Sequence, residues 1–185
     1  MIRVTPLQFK DSFLKVVSTK PMDSKIVALW SSETPSLETP YTKLILEEVL
    51  PNVAMELGIS TWDSAYYFLD SIFYAELDEH HFGPDSTYAK CVNIAMEHEH
   101  IIAGTEVEMN KLQLFNTPLK VLITYAQDEA QRVHYLNRYA KILQGADIFG
   151  DFATLRRQLV IFGSRSGQVV TWHFYAYEST GFKAI

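Results

Sequence analysis

The run Leu119-Lys-Val-Leu-Ile-Thr-Tyr125 limits the possible folds of this chain more than any other stretch. It is almost continuously apolar and is bounded by Pro118 and a polar segment. Successive side chains in a strand point to opposite faces, so a strand without polar alternation is covered on both. Upstream, Tyr88 to Glu97 reads as another apolar strand, and Ile102 to Phe115 as a helix between the two. A strand-helix-strand unit with short connections predicts a sheet layered with helices. The expected fold is therefore α/β, a three-layer sandwich with a central mixed β-sheet flanked by helices.

The remaining pattern fits that frame. Thr5 to Lys20 carries Phe9, Phe13, Leu14, Val16 and Val17 in one helical stripe, and Pro21 interrupts it. Lys25 to Trp30 fits either a helical turn or a strand, and Ser31 to Pro40 is a loop by composition. Tyr41 to Leu57 is helical, with Pro51 kinking it or starting a second helix and Gly58 stopping it. Ile59 to Leu77 holds one or two aromatic-rich strands with Asp70 among the apolar positions. Asp78 to Asp85 is a turn, and Tyr88 to Glu97 is the next strand. Gln127 to Leu143 is a helix with Val133, Leu136, Tyr139 and Ile142 on one face, ended by Gly145. Leu159 to Phe162 and Gln168 to Tyr177 read as terminal strands joined through Gly163 to Gly167. In the helix 102–115, the packing candidates are Ile102, Val107, Met109, Leu112 and Leu114.

The 185 residues suit a single domain. Residues 1–58 would be N-terminal helices packed on a core at 59–125, and 126–185 a helix and terminal strands. No apolar run reaches the length of a membrane span. Cys91 is the only cysteine, so no internal disulfide can form, and a cytoplasmic location is the expectation. The net charge of −6 argues against broad, non-specific attraction to nucleic acid.

The chemistry concentrates at the end of the strand before the central helix. Glu97 and Glu99 share one face there, whereas His98 and His100 share the other. Two carboxylates side by side repel unless a proton or cation lies between them. Asp70 on one strand, followed by Glu97-His98-Glu99 at the end of the next, is similar to the PD-(D/E)xK nuclease site. The segment Trp62 to Tyr125, including Glu108, Lys111-Leu112 and Pro118 to Tyr125, resembles the core of restriction-endonuclease-like proteins. Glu99 stands where that family usually carries lysine. The resemblance implies a Mg²⁺- or Mn²⁺-dependent endonuclease acting on DNA, with 59–125 as its catalytic core.

In that reading Asp70, Glu97 and Glu99 hold the metal, joined by the backbone carbonyl of His98. Lys111, one helical turn from Glu108, takes over the missing lysine from the following helix. Glu47 and Glu48 are candidates for an additional acid. Lys90, Lys120, Arg156, Arg157 and Arg165 are candidates for contacts with the nucleic-acid backbone. The resemblance also allows a homodimer, or a separate partner that directs cleavage. An alternative is an inactive protein that keeps the fold as a binding module for nucleic acid or protein. A third reading is a histidine metal site built from His98, His100, His80 and His81. Trp172, Phe174 and Tyr175 are expected to be core or dimer contacts, and Gly163 to Gly167 a turn rather than a phosphate loop.

Overall fold

Thr5 and Gln8 start the first helix by capping each other: the Gln8 amide donates to Thr5 Oγ1, and the Thr5 amide to Gln8 Oε1. The structure, a computed structural model, describes residues 3–30, 39–76 and 89–185. The proline-rich segment 31–38, the turn 78–85 with His80 and His81, and the side chain of Lys90 lie outside the described residues. Helix α1 spans Pro6–Val17 and buries Phe9, Phe13, Val16 and Val17. Pro21 does more than interrupt it. It occupies the first turn of α2, Lys20–Leu29, where its missing N–H costs nothing, so the ambiguous stretch 25–30 is mostly helix.

Helix α3, Pro40–Lys43, runs into a π-helical segment, Leu44–Val49, and then α4, Leu50–Glu56. The Leu50 amide donates to Ile45 O, five residues back. The geometry therefore changes just before Pro51, which falls in the first turn of α4. The strands are β1 Trp62–Tyr66, β2 Leu69–Glu76, β3 Ala89–His98, β4 Leu119–Tyr125, β5 Arg157–Ser166, β6 Val169–Glu178 and β7 Gly181–Ala184. Helix α5, Thr105–Gln113, links β3 to β4, and α6, Glu129–Ala146, links β4 to β5.

The seven strands form one open sheet whose spatial order equals their sequence order. β3, β4 and β5 are parallel, and the pairs on either side of them are antiparallel. Every residue of β4 is buried, as its unbroken apolar run requires. Its odd positions, Leu119 to Tyr125, pack with α1 to α4, and Leu122 packs with α5 and α6 on the other face. The molecule is thus helices, sheet, helices. Among the described residues no helix is long and apolar enough to cross a membrane.

Several expectations change in detail. β5 continues through Gly163 to Ser166, so the turn is confined to the residues around Gly167. Gly163 sits inside the strand because the Tyr125 and Trp172 rings close over it, and a Cβ there would lie 2.6 Å from Tyr125 Cδ1. Gly145 does not end α6, which runs on to Ala146. The buried face of α6 is Leu136, Tyr139, Ala140 and Leu143, with Val133 exposed. On α5, Met109 and Leu112 are buried while Val107 and Leu114 face out, and Ile102 packs from the loop before it. Trp172 contacts Phe13, and Phe174 is buried against the same helix, so both are core residues.

Candidate active site at the carboxyl ends of the parallel strands

Glu97 is the next-to-last residue of β3, and Asp70 is the second residue of β2, which runs the other way. Both therefore lie at the sheet end where the parallel strands finish, the usual ligand position in open α/β sheets. Asp70 follows a tight turn and is half-buried, rather than sitting deep in an aromatic strand. Its Oδ2 accepts a 2.8 Å hydrogen bond from the backbone amide of His98, tying the start of β2 to the end of β3.

The pleat sends Glu97 toward α5. It is 1% exposed, yet it lines an open cleft with Asp70, His98, Glu99, Glu108 and Lys111. Side chains on a helix lean toward its N-terminus, so Lys111, late in α5, reaches back to the cleft. Its Nζ lies 2.9 Å from Glu97 Oε1 and 2.5 Å from Glu108 Oε2. The following helix thus brings a lysine to the acids at the end of β3. Glu99, just past β3, lines the same cleft, and its amide donates to Ile123 O.

One lysine among these acids leaves an excess of negative charge. Burial, then the nearby Asp70 carboxylate, push the Glu97 proton affinity up to a pKa of about 9, against the pull of Lys111. Burial, Glu108 and Asp70 raise Glu99 as well. Burial would lower Lys111, but its contacts with Glu108 and Glu97 outweigh this and hold it above the ordinary lysine value.

The opposite face of β3 carries a different chemistry. His98 Nε2 is 2.7 Å from Tyr125 OH, and burial, with His100 nearby, lowers its pKa to about 3. His98 is therefore neutral and serves to pin the strand end. Tyr41 and Tyr125 flank both His98 and His100, while Trp30 closes over Tyr125. These histidines face an aromatic layer and do not form an exposed imidazole cluster.

The other candidates separate. Glu48 pairs with Lys25 at the surface and Glu47 is exposed; it is Thr42 and Leu46 from that helical stretch that line the cleft. Lys120, a candidate for a phosphate contact, points into the protein. It is fully buried under Phe152, near Gln113, with burial lowering its pKa to about 8. Arg156 is engaged by Asp151 through two nitrogens and stacks on Phe152. Arg157 begins β5, at the opposite end of the sheet from the cleft. Arg165 lies at the cleft end, where its guanidinium donates to Trp30 O and Gly167 O. What the sequence missed is the tyrosine support: a tyrosine in a fully apolar run looks like core until its partner is known.

The donor set is all oxygen, which suits a hard divalent cation. As arranged, however, no three His, Cys, Asp or Glu side chains among the described residues converge as metal ligands, and Lys111 holds the contact with Glu97. The excess of carboxylates, together with a buried Glu97 that holds its proton, marks a place where a cation would relieve repulsion.

Fold and site together define an α/β protein with an open seven-stranded mixed sheet and a carboxylate-lysine cleft at one end of it. No model of a known protein family matches the chain, and no curated protein matches it in sequence.

Proposed function

We propose that this chain is a divalent-metal-dependent nuclease that hydrolyses DNA phosphodiester bonds, of the restriction-endonuclease-like type. One observation carries the reading: Asp70, Glu97, Glu99 and Lys111, from separate parts of the chain, line one cleft at the strand ends. Asp70 and Glu97 would hold Mg²⁺ or Mn²⁺, with Glu99 beside them. The metal, when bound, supplies the charge that activates water and stabilises the leaving oxygen. The chain's own contribution is orientation. The His98 amide fixes the Asp70 carboxylate, and the His98–Tyr125 bond fixes the end of β3. Lys111 would hold a positive charge where a phosphate enters, its contact with Glu108 first among those that raise its proton affinity. Arg165, at the same sheet end, is the remaining described candidate for a backbone contact. A second copy or a separate partner would supply further contacts with DNA.

A second reading, an inactive protein that binds nucleic acid or protein, is favoured by the Lys111–Glu97 contact itself, since it satisfies the acid without metal. Plasmid and oligonucleotide cleavage in Mg²⁺ and Mn²⁺, beside Asp70→Asn and Glu97→Gln, tests the proposal. Cleavage by the wild type and its loss in both variants is the expected result. No cleavage, together with a melting temperature that neither metal shifts, would leave the binding protein as the reading.

A further inference from the structure

Charge is unevenly spread along α6. Its first residue, Glu129, is acidic, but from Ala130 to Ala146 it has no Asp or Glu and carries Arg132, Arg138 and Lys141. That bias stands out in a chain with 22 acidic and 16 basic side chains. The helix dipole does not account for it, because no basic residue lies in the last turn of α6. His134, Arg138 and Lys141, four and three residues apart, share one side of the helix. Leu136, Tyr139, Ala140 and Leu143 are buried on the other. The exposed His134, Arg138 and Lys141 line a groove with Asn137, Ile142 and Glu106 of α5. Arg138 pairs with Glu106, whereas Lys141 has no ion pair among the described residues.

The groove adjoins the carboxylate cleft. Glu106 lines the groove and Glu108 the cleft, and both lie in the first turn of α5. Residues two apart on a helix point to different sides, so that turn is the wall between the two. A phosphate chain approaching the cleft meets Asp70, Glu97, Glu99 and Glu108, and the net charge of −6 offers it no general attraction. An anionic substrate therefore needs cations beside the cleft, and the acid-poor face of α6 supplies them. We infer, resting on the nuclease reading above, that the α5–α6 groove holds the phosphate backbone of the DNA whose scissile bond enters the cleft. Lys141 contacts one phosphate, and Arg138 exchanges Glu106 for another. His134 and Asn137 offer further hydrogen bonds to backbone oxygens. Such contacts set the position of the strand and carry no sequence information.

The double variant Arg138→Gln/Lys141→Gln removes both charges, and Arg138→Lys/Lys141→Arg keeps them. Both should melt like the wild type, since exposed ion pairs add little stability. Fluorescence anisotropy with a labelled blunt duplex in Ca²⁺, at several salt concentrations, reads binding apart from cleavage. The glutamine variant should bind about 10-fold or more weaker, and its slope of log Kobs against log salt should be smaller by about 2. The charge-keeping variant should retain affinity and slope near those of the wild type. A wild type that does not bind the duplex, or a folded glutamine variant with wild-type affinity and slope, overturns the proposal. So does poly-glutamate that displaces the duplex as well as unlabelled duplex does, which would assign the groove to an acidic protein. The same proteins assayed for cleavage in Mg²⁺ separate the two readings. Groove-dependent binding without cleavage supports the groove and removes the nuclease. Cleavage with groove-independent binding removes the groove and leaves the nuclease.

Discussion

Glu97 and His98 are adjacent, and their opposite environments give the protein opposite responses to pH. Glu97, with its folded pKa near 9 against an ordinary 4.5, contributes stability that is complete below about pH 4.5 and lost as pH rises toward 9. His98, near 3 against 6.5, contributes stability that is complete above pH 6.5 and lost as pH falls toward 3. Without metal, Glu97→Gln should therefore raise the melting temperature at pH 8 and flatten its alkaline decline, as thermal melts across pH would show. Tyr125→Phe removes the partner of His98 Nε2 and should cost about 1–3 kcal/mol by chemical denaturation. A smaller loss would mean that the strand end does not depend on this bond.

At the scale of elements, α5 and β5 carry the most specific demands. Lys111→Met leaves Glu97, Glu99 and Glu108 facing one another, and should destabilise the metal-free protein by about 1–3 kcal/mol at pH 8. If Lys111 also serves the reaction, cleavage falls much further than stability explains, a difference that assays well below the melting temperature reveal. On β5, Gly163→Ala drives a Cβ into the Tyr125 ring and should cost about 1–3 kcal/mol, with the aromatic near-ultraviolet spectrum altered. The sequence made β4 legible because seven consecutive buried residues leave no other pattern. It made Glu97 and Lys111 legible because strand alternation and the turn of a helix fix which residues share a face. The phase of α5 and α6 was less legible. Val107 and Val133 are apolar yet exposed, and periodicity cannot tell an apolar residue left outside from one packed inside. β7 escaped notice because Gly181 to Ala184 has too few apolar residues to form a pattern.

At the scale of the molecule, two cores on opposite faces share one sheet, and β4 belongs to both. Leu122→Ala, on the α5–α6 face, should cost about 2–5 kcal/mol. Denaturation followed by Trp172, on the other face, should report the same midpoint, because the sheet couples the cores. The direction of the parallel strands was also what the sequence could not give for the basic residues. Lys120 and Arg157 are cations by composition, but register sets Lys120 beside Ala95, two residues short of Glu97, and Arg157 at the first residue of β5.

The sheet is assembled from neighbours in the chain, so each strand leaving a ribosome finds its partner already made. The helical layer of α1 to α4 has no such convenience. Phe13, on α1, packs on Trp172 and Phe174, which come much later in chain order on β6. During synthesis the N-terminal helices therefore wait with an apolar face uncovered until β6 arrives. A nascent chain stopped near Gly167 would carry the whole carboxylate cleft but an open N-terminal layer, a natural mark for chaperones and proteases.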